Sequence, residues 1–107
     1  MNIITLPDFT GDNQTHAISD LITAAGLSAP TTALMLVVRE ITGGASSSRV
    51  GGPNATANRG IPLNAADTLV LPAAGVGPTP ASITWDLTAT YIYAASGDTL
   101  AIAYVIW

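Results

Sequence analysis

Ala89-Thr-Tyr-Ile-Tyr-Ala-Ala-Ser-Gly-Asp-Thr-Leu-Ala-Ile-Ala-Tyr-Val-Ile-Trp107 is the stretch on which the fold class turns. Two runs rich in β-branched and aromatic residues flank Ser96-Gly97-Asp98, and turn residues between such runs predict a β-hairpin. Gly97 supplies the positive φ that a tight turn requires. With a two-residue turn, Tyr93 faces Ile102 and Tyr91 faces Tyr104. One side then carries Tyr91, Tyr93, Leu100, Ile102, Tyr104 and Ile106. The other carries Ile92, Ala94, Ala101, Ala103, Val105 and Trp107. A three-residue loop shifts that register, and the sequence leaves both open. Neither side is polar, although antiparallel hairpins normally keep one face wet. One face is therefore expected against the core, the other against a second sheet or a neighbouring subunit.

Working outward, Thr32–Ile41 reads as a strand with Leu34, Leu36 and Val38 on one face and Met35, Val37 and Arg39 on the other. Short strands are expected at Ser48–Val50, at Ile61–Leu63 and Thr68–Leu71 around a turn at Asn64–Asp67, and from Ser82 to Leu87. Residues 43–48 read as a turn, Gly51–Gly60 as a long loop, and Pro72–Pro80 as an irregular connection. Ile18, Leu21, Ile22 and Ala25 fall on one helical face. A short helix is expected from His16 to Ala25, with Thr15 at its start and Gly26 at its left-handed end. Asn2–Leu6, stopped by Pro7, reads as a short edge strand or an arm, so that 1–8 is either an edge strand or an extended arm. Asp8–Gln14 reads as a polar turn. The sum is a mainly β chain: one domain, 1–107, an antiparallel β-sandwich or jelly roll of six to eight short strands with one short helix.

Composition narrows the function classes. Of 107 residues, 9% are charged, against about 25% in an average soluble domain. Arg39, Arg49 and Arg59 are the only basic residues besides His16, there is no lysine, and the formal net charge is −4. Three scattered arginines cannot form the basic stripe that nucleic acid demands. Without cysteine there is no disulfide, thiolate nucleophile or cysteine metal site. The first residues have no basic region leading into an apolar run, so no signal peptide is expected. The longest strictly apolar run, Ala33–Val38, falls far short of the roughly 20 residues of a membrane helix. Lysine and glutamate are also types depleted from subunit interfaces, so much of this surface is expected to be covered.

Chemistry is sparse. His16 and Asp20, four apart on the expected helix, are within reach of each other, and a serine of 46–48 would complete a triad on paper. No Gly-x-Ser-x-Gly elbow supports it. Asp8 and Asp12 lack the spacing of a calcium loop. Asp67, Asp86 and Asp98 read as turn formers and solubilising residues at strand ends. No catalytic, cofactor or metal site is expected. The candidate interface residues are Arg39, Arg49 and Arg59, each able to bond carboxylates or carbonyls through a fixed fork, and the aromatic anchors Trp85, Tyr91, Tyr93, Tyr104 and Trp107.

The series Arg49-Val-Gly51, Asn58-Arg-Gly-Ile-Pro-Leu63, Trp85-Asp-Leu-Thr88 and Tyr91-Ile-Tyr-Ala-Ala-Ser-Gly-Asp-Thr-Leu-Ala-Ile102 resembles small virion proteins of tailed phages, such as capsid decoration or cement proteins. The resemblance runs from about Arg49 to the end and takes in Ile18–Leu27. It implies a β-sandwich or jelly-roll module, often trimeric, seated on major capsid protein. The expectation is thus a non-enzymatic structural protein of the virion surface, made in the host cytoplasm. It would form a homo-oligomer and bind capsid subunits, without cofactor, nucleic-acid or membrane partner. The alternative is a receptor- or carbohydrate-binding module of a tail or fibre, where exposed aromatics stack on sugars.

Overall fold

The computed structural model describes residues 2–41, 48–71 and 85–106. Residues 43–47 of the expected turn at 43–48, the connection 72–80, the start of the expected strand at 82–84 and Trp107 lie outside the described residues, and Ser48 belongs to a strand. In chain order the elements are β1 (Asn2–Thr5), β2 (Phe9–Thr10), β3 (Gln14–Ala17), α1 (Ile18–Ala24), β4 (Thr32–Ala33), β5 (Met35–Glu40), β6 (Ser48–Gly51), β7 (Ile61–Leu63), β8 (Thr68–Leu71), β9 (Trp85–Asp86), β10 (Tyr91–Ala94) and β11 (Thr99–Ile106). Eight of these strands have three residues or more; the excess over the expected six to eight is the two-residue β2, β4 and β9.

Two antiparallel sheets face each other. One has the order β1-β11-β5-β8, with β2 continuing beside β11; the other has the order β3-β10-β6-β7. β4 and β9 form a separate short ladder. Successive strands keep changing sheets: β2 to β3, β5 to β6, β7 to β8 and β10 to β11 all cross over, whereas β6 and β7 pair directly. This is jelly-roll connectivity.

The expected hairpin is therefore corrected. β10 pairs with β3 and β6, β11 pairs with β1, β2 and β5, and the two do not pair with each other. The turn itself forms, with Asp98 N–H donating to Ala95 O at 3.0 Å and Gly97 at φ +95°. It joins strands in different layers, so Ile92 and Ala94 from one side and Leu100, Ile102 and Tyr104 from the other all reach the core. Leu36, Val38, Val50, Leu63, Ile18 and Ile22 complete that core.

The crossovers β2–β3 and β10–β11 pack on each other. Gly11 N–H donates to Asp98 O at 2.8 Å, Asn13 N–H to Ala94 O at 2.9 Å, and Ser96 N–H to Asn13 Oδ1 at 2.8 Å. The polar turn expected over Asp8–Gln14 is thus shorter, since Phe9–Thr10 and Gln14 belong to strands.

The helix begins two residues later than expected. His16 and Ala17 end β3, and Thr15 is no cap; its hydroxyl donates to Ala55 O at 2.5 Å. Ala17 caps α1 without a side-chain bond. The first helical N–H groups are met instead by carbonyls of the following strand region: Ile18 N–H by Thr90 O at 2.9 Å and Ser19 N–H by Leu87 O at 3.0 Å. The helix ends as expected, with Gly26 at φ +81° and Leu27 N–H donating back to Ile22 O. Thr32–Ile41 is not one strand; it breaks at Leu34, so that Thr32–Ala33 pairs with β9 and Met35–Glu40 joins the larger sheet. Of the two readings of the first residues, strand or arm, Asn2–Thr5 is an edge strand. The strands at 61–63 and 68–71 also form, around a turn closed by Asp67 N–H to Asn64 O at 3.0 Å.

Candidate functional site

Alternation along β5, β11, β1 and β8 sorts side chains between the core and the outer face of the larger sheet. The register sets the outer rows. Ile3, Val105 and Met35 lie side by side; then Thr5, Ala103, Val37 and Val70; then Ala101, Arg39 and Thr68. Ile3 is 73% exposed and Val70 46%. Met35, Val37, Ala101, Ala103 and Val105 are half-buried. One formal charge, the exposed Arg39 guanidinium, sits on these rows. A face built this way has little to gain from water and much to gain from cover.

The chain shapes one border of this face. Leu6 N–H donates to Ile102 O at 2.9 Å, and Phe9 lies opposite Leu100. Pro7 and Asp8 therefore stand opposite Ala101 alone, a β-bulge on an edge strand, where proline costs no ladder bond. Beside it lies a recess of about 370 Å³ lined by Thr5, Leu6, Asp8, Val37, Arg39 and Ala101, with Ile102 and Ala103. On the helix side of the same bulge, a groove of about 190 Å³ runs between Phe9 and Leu21.

The smaller sheet is dressed differently. The long loop from Gly52 to Gly60 folds over its outer face. Arg49 Nη1 donates to Gly60 O at 3.0 Å, Thr15 reaches Ala55 O, and Ala55 is buried. Thr15 and Arg49 flank Tyr93 on β10, so the loop crosses that strand. Tyr91 and Tyr93 point outward and are half-buried, as are Arg49 and Trp85; Arg59 is exposed in the loop itself. Among the expected anchors Tyr104 is corrected: it is 2% exposed and belongs to the core, because β11 turns that face inward. Among the described residues Arg39 is thus the one expected interface residue on the apolar face of the larger sheet, while Tyr91, Tyr93 and Arg49 share the outer face of the smaller sheet.

Several titratable groups have local partners. His16, on a strand, does not meet Asp20 in the expected helical pair; its Nε2 lies 2.7 Å from Asp12 Oδ2, and its ring stacks edge-on against Phe9. Asp12 also accepts from Gln14 N–H at 3.1 Å. Asp86 accepts the Thr88 hydroxyl at 2.6 Å and the Thr88 N–H at 2.9 Å, which hold its carboxyl below the ordinary 3.8. Among the described residues no three His, Cys, Asp or Glu side chains gather to hold a metal ion.

One polar cluster has no precursor in the sequence reading. Glu40, Ser48 and Asp98 are 0%, 1% and 5% exposed. Ser48 Oγ donates to Glu40 Oε2 at 2.6 Å and lies 3.3 Å from Asp98 Oδ2. Asp98, expected to be a solubilising turn residue, is thus buried. The hydroxyl ties together the end of β5, the start of β6 and the end of the β10–β11 turn, joining the two sheets. Ser48→Ala is expected to cost about 2 kcal/mol, because it takes a hydrogen-bond donor away from a buried carboxyl group. Chemical denaturation checks this, and a loss under about 0.5 kcal/mol would remove the cluster from the stabilising interactions.

Compared with family models, with curated proteins and with solved structures, the chain matches none.

Proposed function

We propose that this is a non-enzymatic virion structural protein that seats on the outside of a phage capsid as a homo-oligomer and stabilises contacts between major capsid subunits. The observation that carries the reading is the outer face of the larger sheet, with Ile3, Met35, Val37, Val70, Ala101, Ala103 and Val105 around a single charge. Such a face works by being covered. Each large apolar side chain removed from water contributes about 1.5–3 kcal/mol, offset by the freedom lost on association. A ligand that binds only the assembled shell stabilises it by mass action. The resemblance to decoration and cement proteins supplies the identity of the covering partner, and the low charge of the chain is consistent with it.

Co-sedimentation with intact and protein-depleted phage capsids tests the proposal. The wild-type chain is expected to pellet with depleted capsids and to raise their melting temperature. Val70→Lys places a charge on the apolar face at a half-exposed edge position. It is expected to weaken capsid binding at least tenfold while leaving the chain's own unfolding midpoint within about 0.5 kcal/mol. Absence of capsid binding together with saturable binding on a glycan array would overturn the proposal in favour of a sugar-binding module, for which Tyr91 and Tyr93 are the stacking candidates.

A further inference from the structure

The outward-facing backbone of β1 offers a second, separate surface. In an antiparallel ladder, alternate residues aim both N–H and C=O at the same neighbouring strand. Leu6 donates its N–H to Ile102 on β11, which fixes the parity. Ile4 and Asn2 therefore also face β11, opposite Tyr104 and Ile106. Ile3 and Thr5 aim their N–H and C=O away from the sheet, and among the described residues β1 is paired on one side only. The side chains of Asn2, Ile3 and Thr5 are exposed.

Proteins normally blunt such an edge with lysine, proline, a bulge or a covering loop. The edge strand β7 of the smaller sheet has Pro62 at its centre. On the opposite edge, Thr15 of β3 is tied to the Gly52–Gly60 loop. From Asn2 to Leu6 there is no charged residue and no proline, and the bulge begins only at Pro7 and Asp8.

We propose that β1 pairs antiparallel, about a two-fold axis, with β1 of a second copy of this chain. The outward groups are self-complementary in one register. With Ile4 opposite Ile4 of the second copy, Ile3 exchanges both backbone bonds with Thr5 of that copy, and the symmetry repeats this for four bonds in all. No ionisable side chain between Asn2 and Leu6 opposes its like. An axis perpendicular to the sheet keeps both outer faces on one side, so the two larger sheets become one continuous sheet. Ile3, 73% exposed in the single chain, is then flanked by Thr5 of the second copy. A pairing held by four backbone bonds is short, so the dimer is expected to depend on concentration. The contact is independent of the capsid reading, and it is two-fold rather than the trimeric arrangement that the resemblance implies.

Sedimentation velocity over a wide concentration range tests it. The wild-type chain is expected to move from its monomer mass of 10.8 kDa toward twice that value. Ile3→Pro removes an outward N–H and no bond to β11, so it is expected to weaken dimerisation at least tenfold with an unchanged unfolding midpoint. Ile4→Pro removes a bond to β11 and is expected to destabilise the fold. As a second measurement, Ile3→Cys and Thr5→Cys chains are mixed under mild oxidation; the chain has no other cysteine. Opposed positions in a ladder have the Cα spacing a disulfide needs, so the mixture is expected to cross-link faster than either chain alone. A wild-type chain that stays monomeric, or forms a trimer, or cross-links no faster in the mixture, would overturn the pairing. Capsid binding is read separately and stands or falls without it.

Discussion

Gly11→Ala is expected to destabilise the fold by about 3 kcal/mol or more, beyond the usual cost of overpacking. A Cβ at Gly11 would lie 2.1 Å from Ala95 O and 2.8 Å from both Ala94 C and Ala94 O. Backbone cannot swing aside as a flexible side chain can. The space is closed by the bonds that hold the two crossovers together: Gly11 N–H to Asp98 O, Asn13 N–H to Ala94 O, and Ser96 N–H to Asn13 Oδ1. Gly11 has no positive φ, so the requirement is close approach rather than an unusual dihedral angle. To admit a methyl group the crossovers must separate, and with them the ends of β2, β3, β10 and β11. Equilibrium denaturation in urea measures the loss. Gly52→Ala is the control, since its Cβ would meet only Asn54 Oδ1 at 3.7 Å; a change within about 0.5 kcal/mol is expected. Equal stability of the two variants would show that the crossovers do not need their present spacing.

That contact marks where the sequence stopped being informative. Alternation in Thr99–Ile106 separates Leu100, Ile102, Tyr104 and Ile106 from Ala101, Ala103 and Val105, and the structure keeps that division. Period-two patterning cannot state which side faces the core when both sides are apolar. The choice depends on the second sheet, which is assembled from residues far away in the chain. The turn at Ser96-Gly97-Asp98 was legible for the same reason that its consequence was not. Glycine satisfies the local dihedral need equally in a hairpin and in a crossover between layers. Pairing of β10 with β3 and β6 is decided over separations of some 40 to 80 residues. Helix α1 was legible through Ile18, Leu21, Ile22 and Ala25. Its start was not, because its first N–H groups are met by carbonyls of Leu87 and Thr90 rather than by an adjacent side chain. Of the candidate face, Met35, Val37 and Arg39 were already grouped by alternation. Ile3 and Val70 joined them only through register. The Glu40–Ser48–Asp98 cluster was not legible, since its members lie 8 and 50 residues apart along the chain and meet only when the two sheets pack.

Tyr104→Ala separates the two roles that alternation allowed this residue. An interface anchor, once truncated, would leave folding intact and weaken association. Tyr104 is instead 2% exposed, opposite Ile4 on one side and Leu36 on the other, in the central strand β11. Truncation there is expected to cost about 3–5 kcal/mol, the transfer energy of the ring plus the cavity it leaves. Tyr104→Phe keeps the ring and is expected to cost less than about 1.5 kcal/mol. Burial also pushes the phenol above its ordinary 10.0 by disfavouring the charged form. The unfolded chain then ionises at lower pH than the folded one. This contribution is therefore fully present below pH 10 and is lost as pH rises through the raised value. Stability of the wild type is expected to fall more steeply above pH 10 than that of Tyr104→Phe. Thermal unfolding of both chains between pH 8 and 11 reads the difference directly. Parallel slopes would show that the phenol meets water, and a Tyr104→Ala chain as stable as wild type would return the residue to the surface.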